Sequence, residues 1–209
     1  MRMEKMNKPK LIGYIGHSIA TDGEAYDSKC MSDKMEEIGI QNYSAAKNEG
    51  INDKSLKFVR AEDIYHGDLP RLLGSQVVIY DLNGGTQDGT ISEVGFTAGY
   101  LETLRMQGKP SPQIVLGYSS NSRVLYPDFE QGIASGCVCH LPLGMVKEHG
   151  VFVGTKDNLY KALEMIVTEY ENSPDPFTAL VDRLTQRIRE ELSFEPTKIL
   201  GANGMEIIK

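Results

Sequence analysis

Hydrophobic positions in this chain fall into two patterns, short continuous apolar runs and longer stretches with a helical period. Runs at residues 11–15, 76–80 and 113–118 read as strands, with further short strands predicted at 40–44, 138–141 and 151–153. Between them, Met31, Met35 and Ile38 recur at helical spacing within a helix predicted over 24–38. A second helix is predicted over 60–73 from Ile64, Leu69, Leu72 and Leu73. Pro70 inside it is expected to break or restart the helix, with Asp68 as the N-cap of the restarted turn. A third is predicted over 90–106, where Ile91, Val94, Ala98, Leu101 and Leu104 fit one buried face. A fourth starts from Thr155 and runs to about residue 170, carrying Leu159, Leu163, Ile166 and Tyr170. Residues 46–57 are polar and loop-like. Strands alternating with helices imply an α/β fold, a three-layer sandwich on a mostly parallel sheet of about five strands, flavodoxin-like or Rossmann-like.

Residues 172–176 carry two prolines and break the pattern. Beyond them Phe177, Leu180, Val181, Leu184, Ile188 and Leu192 line one face of a last helix, with Asp182, Arg183, Gln186, Arg187 and Glu190 opposite. The organisation read from this is a domain over 1–171 and a helical extension over 172–209. Because that helix lies beyond a completed domain, its apolar face is expected to meet a partner subunit.

Composition narrows the function classes. A chain of 209 residues with 40% hydrophobic and 24% charged residues is ordinary for a globular protein with a sizeable core. The net charge of −7 argues against a nucleic-acid partner, whose phosphates call for clustered Lys and Arg. No stretch approaches the roughly 20 apolar residues of a membrane span, and the first ten residues have no apolar core. A cytoplasmic protein is therefore expected, without a membrane partner. Cys137 and Cys139 are too close for a comfortable disulfide, and Cys137-Val-Cys139-His140 lacks the second ligand pair of a zinc site, so no metal and no cofactor is expected.

The chemistry concentrates in the loop that leaves the run at 76–80. It reads Asp81-Leu-Asn83-Gly-Gly-Thr-Gln-Asp88-Gly89-Thr90-Ile-Ser-Glu93-Val-Gly95. Loops at the carboxyl ends of strands are where ligands bind in open α/β sheets. This one brings three carboxylates and several glycines to that place, and paired carboxylates are what glycosidic-bond chemistry uses. The simpler reading is a capping box, with Thr90 as N-cap and Glu93 reaching back to it. A cap alone requires no second acid at Asp88. With Thr90 as cap, Glu93 would sit in the first turn, where the positive end of the helix dipole favours its ionised form.

The string resembles the nucleoside 2-deoxyribosyltransferase family, through Asp88-Gly-Thr90-Ile-Ser-Glu93-Val-Gly95, then Gly108-Lys-Pro110 and the strand that follows. The likeness extends to Asn52-Asp-Lys-Ser55, to Asp68-Leu69 and to the first strand with Tyr14, covering roughly residues 10–168. The resemblance implies Glu93 as nucleophile and Asp68 and Asp88 as acids that hold the sugar and assist the departing base. It places Tyr14 beside the sugar or the glutamate. Gly16, Asp81, Asn83, Gly89 and Thr90 complete the candidate substrate-binding set. The partners it implies are a small-molecule nucleoside, a free base and further copies of the chain in a homo-oligomer. Three departures stand out, one of them the tail after about residue 172, which lies outside the usual family length. Asp88 is one residue closer to Glu93 than the family's pattern has it. Where the family lends an Asn to the neighbouring subunit, this chain has His140-Leu-Pro142-Leu143, whose matching side chains cannot hydrogen-bond.

Two alternatives remain open. A nucleoside-monophosphate phosphoribohydrolase carries a similar glycine-threonine-glutamate string, but here the spacing differs and no Arg or Lys lies inside the motif. A non-catalytic nucleotide-binding domain would keep the glycine loop without needing Glu93.

Overall fold

The computed structural model describes residues 8–48, 60–83, 88–121 and 140–194. The elements in chain order are β1 (Leu11–Gly16), α1 (Asp22–Ile38), β2 (Ile40–Ser44), α2 (Ala61–Gly74), β3 (Val77–Asp81), α3 (Asp88–Met106), β4 (Ile114–Tyr118), α4 (His140–His149), β5 (Val151–Gly154), α5 (Lys156–Asn172) and α6 (Phe177–Leu192). One 3-10 turn, Ala45–Lys47, follows β2. The five strands are all parallel and lie in the order β2-β1-β3-β4-β5. The order reverses direction between β1 and β3, so the loops after these two strands flank the crevice where such sheets take ligands.

The sheet is covered on both sides, which is why β3, β4 and β5 are buried along their whole length. Along β3, Val77 and Ile79 face α1, α5 and α6, while Val78 and Tyr80 face α2, α3 and α4. This two-sided alternation gives the two cores of a three-layer α/β sandwich. Among the described residues no helix is long and apolar enough to cross a membrane.

Local chemistry sets the helix starts. Thr21 caps α1, accepting from the Glu24 backbone N–H at 3.2 Å, while the Glu24 carboxylate accepts from the Thr21 N–H at 2.9 Å. Thr155 caps α5 by accepting from the Asn158 N–H.

Four expectations change. Pro70 does not break α2, which runs from Ala61 through Gly74, so Asp68 lies inside the helix rather than at a cap. Pro70 is exposed there, and the helix carries through it at the loss of the backbone bond its missing N–H would have made. α3 begins at Asp88, which puts Thr90 inside the helix and Glu93 in its second turn, and the Thr90–Glu93 capping box does not form. His140 and Leu141 open a helix rather than close a strand; Pro142 falls in its first turn, where a missing N–H costs nothing. The rest of the run at 138–141, with Cys137 and Cys139, lies outside the described residues, as do Asn52–Ser55 and residues 84–87.

The fourth change concerns α6. Its Phe177, Leu180, Val181, Leu184 and Ile188 are buried in the same core as α1 and α5, so its apolar face is covered by its own chain and not by a partner. Phe194, just beyond, donates its N–H to the Phe152 carbonyl at 2.8 Å. Its ring fills the space over Gly154, whose φ of +76° suits glycine.

Candidate active site at the carboxyl edge of the sheet

Two residues apart on β1, Tyr14 and Gly16 point to the α3 side, and their register partners on β3 are Val78 and Tyr80. The Tyr14 hydroxyl donates to Glu93 Oε1 at 2.7 Å. The Tyr80 hydroxyl donates to the Glu93 backbone carbonyl at 3.1 Å and shares a 2.7 Å hydrogen bond with Thr97 Oγ1. One tyrosine thus fixes the helix turn and the other fixes the carboxyl group. Glu93 Oε2 is buried and has no hydrogen-bond partner. A Cβ on Gly16 would lie 2.8 Å from that oxygen and 2.3 Å from the Tyr80 ring, so only glycine leaves room for the carboxylate here.

Burial sets the electrostatics of this carboxyl group. It raises the Glu93 pKa from its ordinary 4.5 to about 7; the Tyr14 hydrogen bond opposes the rise and the Asp68 charge adds to it. The dipole of α3 does not hold Glu93 ionised as expected, because the dipole's influence fades beyond the first turn. Burial beside the same carboxylate drives the Tyr14 phenol far above its usual range.

Asp68 arrives from α2. It accepts a 2.5 Å hydrogen bond from the Tyr43 hydroxyl, which itself accepts from Asn48 Nδ2 at 2.8 Å. The Tyr43 ring stacks on Tyr14 with centroids 5.6 Å apart, and the Arg71 guanidinium lies 4.6 Å over the Tyr43 ring. Glu93, Tyr14, Tyr43 and Asp68 therefore form one chain of contacts, with the two carboxylates at its ends. Burial, then the bond to Asp68, pushes the Tyr43 phenol up to about 12.

The other predicted residues fall in different places. Asp88 and Gly89 are exposed at the start of α3, Thr90 is buried in its first turn, and the acid whose charge acts on Glu93 is Asp68 rather than Asp88. The Asn83 carbonyl accepts from Asn121 Nδ2 at 2.9 Å. Asp81 does not join Glu93. It alternates with Tyr80 on β3 and so faces the opposite side of the sheet. There it accepts from Ser120 N–H at 2.9 Å and Ser120 Oγ at 2.6 Å, and lies 3.2 Å from His17 Nε2. His17 Nε2 also lies 3.0 Å from Asp27 Oδ2, and Lys156 pairs with Asp27 Oδ1. Among the described residues, His17, Asp27 and Asp81 are the one group with the donors and spacing to hold a metal ion. Pro142 and Leu143 are buried in α4.

Tyr43 and Tyr80 escaped the sequence reading. Tyr80 closes an apolar run and looks like core. Tyr43 sits opposite Tyr14 only because β2 pairs with β1 in parallel, a pairing that no local pattern displays.

Fold and site together define a parallel α/β sandwich with a buried, tyrosine-held carboxylate beside its topological crevice. No protein-family model and no curated protein matches the sequence. A solved structure, described as a conserved protein from Enterococcus faecalis V583, is similar with a TM-score of 0.59 at 18% identity, over 75% of this chain and 98% of that one. At that identity the likeness speaks for the α/β fold alone.

Proposed function

We propose that this chain cleaves the N-glycosidic bond of a 2′-deoxyribonucleoside and transfers the sugar to another base, as the resemblance to the nucleoside 2-deoxyribosyltransferases implies. The observation that carries the reading is the state of the Glu93 carboxyl group. One oxygen is held by Tyr14, and the other is buried, unpartnered and set against a glycine. A buried acceptor without a partner is rare and calls for an explanation. Here the explanation is a reacting sugar carbon.

In this mechanism Glu93 Oε2 attacks C1′ as the C1′–N bond breaks through an oxocarbenium-like transition state, and the bonding pair leaves with the base. The base takes up a proton from a second acid, Asp88 or Asp68. Asp68, fixed by Tyr43, orients a sugar hydroxyl. A second base then attacks C1′, returning the pair of electrons to Glu93 and its own proton to the acid. Cofactors have no part in these steps.

A second reading has one specific support. A carboxyl group raised to about 7 also suits general-base activation of water, which gives free sugar and base without a covalent intermediate. Chromatography of the protein with thymidine and free adenine separates the two, with Glu93→Ala as control. Glu93-dependent deoxyadenosine supports transfer. Free thymine and deoxyribose without exchange favour hydrolysis. Neither product, from deoxynucleosides or from nucleoside monophosphates, overturns both.

A further inference from the structure

On the face of the sheet opposite Glu93, we propose that His17, Asp27 and Asp81 form a binding site for one divalent transition-metal ion of the Mn²⁺ or Zn²⁺ class. The three side chains come from the β1–α1 loop, from α1 and from the end of β3, and converge at the crevice between β1 and β3.

Two of the spacings match those of an ion's ligands, and all three ligand atoms lie within 4.8 Å of one another. Metal bonds of roughly 2.1 Å to imidazole and carboxylate place neighbouring ligand atoms about 3.0 Å apart in an octahedron and about 3.4 Å apart in a tetrahedron. His17 Nε2 lies 3.0 Å from Asp27 Oδ2 and 3.2 Å from Asp81 Oδ2. The supporting contacts have the form that metal ligands require. His17 Nδ1 lies 2.5 Å from the Ser18 carbonyl, a contact that needs its proton on Nδ1 and turns Nε2 toward the two acids. Ser120 grips both oxygens of Asp81. Lys156 holds the other oxygen of Asp27, Oδ1, and so leaves Oδ2 to the ion.

A second buried group lies on the same face of the sheet. The Tyr118 side chain is fully buried, and its hydroxyl has no hydrogen-bond partner. Tyr118 is the register partner of Asp81, so both side chains rise from the same face of the sheet. After burial, the charges of Asp81 and then Asp27 act most strongly on that hydroxyl. A polar atom so enclosed calls for a polar guest such as an ion or the water that an ion carries. One imidazole with two carboxylates selects ions that accept both nitrogen and oxygen donors. Access runs past Asp27, whose side chain is 29% exposed while those of His17 and Asp81 are 2% and 0%.

The test is titration of chelator-stripped protein with Mn²⁺, reading free ion by electron paramagnetic resonance, on wild type, Asp27→Asn, His17→Gln and Cys30→Ser. The site predicts one saturable Mn²⁺ per chain, displaced by Zn²⁺. Binding weakens more than about 100-fold in the Asp27 and His17 variants, beyond the usual cost of losing a supporting group. It survives in Cys30→Ser, whose thiol is exposed on α1. Melting temperature gives a second readout, rising with Mn²⁺ in wild type and not in Asp27→Asn. Absence of saturable uptake of either ion, or equal uptake in wild type and both ligand variants, overturns the proposal.

Discussion

Replacing Glu93 by Gln should alter the pH dependence of stability by an amount the structure sets. In the folded protein the Glu93 carboxyl is raised from 4.5 to about 7 by burial. The unfolded chain therefore gives up this proton at lower pH than the folded one. Between about pH 4.5 and 7 the folded state holds more protons, so stability falls as pH rises through that window. Below about pH 4.5 both states are protonated and the group costs nothing. Above about pH 7 the folded protein carries a buried carboxylate at the full cost, about 3 kcal/mol at roughly 1.4 kcal/mol per pKa unit. That is a large share of the roughly 5–15 kcal/mol that holds a typical domain together. Gln keeps the acceptor for Tyr14 and cannot ionise. Its amide nitrogen, placed where Oε2 was, adds a penalty of about 1–3 kcal/mol that does not vary with pH. Other titrating groups are common to both proteins and cancel in the difference. Urea unfolding of the two proteins from about pH 4.5 to 8 should show Glu93→Gln gaining about 3 kcal/mol relative to wild type across the range. Parallel stability curves would refute the reasoning, because they would mean that Glu93 titrates as an exposed carboxylate.

Three further predictions follow from the same geometry. With an ionised nucleophile, kcat/KM for deoxynucleoside cleavage should rise with pH through about 7. Asp68→Asn, which removes a charge that raises the Glu93 pKa, should move that limb to lower pH, and Tyr14→Phe, which removes a hydrogen bond that lowers it, should move it higher; an unmoved limb in both variants counts against the assignment. Gly16→Ala, whose Cβ meets Tyr80 and Glu93, should abolish turnover with the far-ultraviolet circular dichroism retained; near-normal kcat would show that this oxygen is not the reacting atom. Leu184→Ala in α6 should cost about 2–5 kcal/mol in denaturant unfolding of the isolated chain, whereas a loss below about 1 kcal/mol would mean that α6 is not part of this core.

Most elements were legible in the sequence, because β1, β3, β4 and β5 are largely apolar runs and α1, α5 and α6 keep a helical period, with α6 matching its predicted span residue for residue; α4 was not foreseen, since His140 and Leu141 read as the end of a strand. Glu93 and Gly16 were legible through their places in the glycine-rich loop and at the end of the first strand, and Tyr14 through the family resemblance. Their partners were not. Tyr43 and Asp68 meet through the pairing of β2 with β1 and the placement of α2, both set by tertiary packing. Local signals misled where two structures satisfy one pattern. Thr90-Ile-Ser-Glu93 has the form of a cap, yet the helix gains another turn by starting at Asp88. Pro70 reads as a breaker, yet α2 runs on through it and forgoes the one backbone bond that a residue with an N–H would make there. Asp81 was grouped with Glu93 by proximity in sequence, and the two-residue period of a strand sends it to the other face.

The account stands most directly on a covalent bond between Glu93 and the sugar. Wild-type protein mixed with a deoxynucleoside, quenched in acid and digested, can be read by peptide mass spectrometry. The account predicts a deoxyribosyl adduct on the peptide that contains Glu93, absent from Glu93→Gln and lost when free base is added before the quench. Turnover of the nucleoside with no adduct at any quench time, or an adduct on another residue, would contradict it.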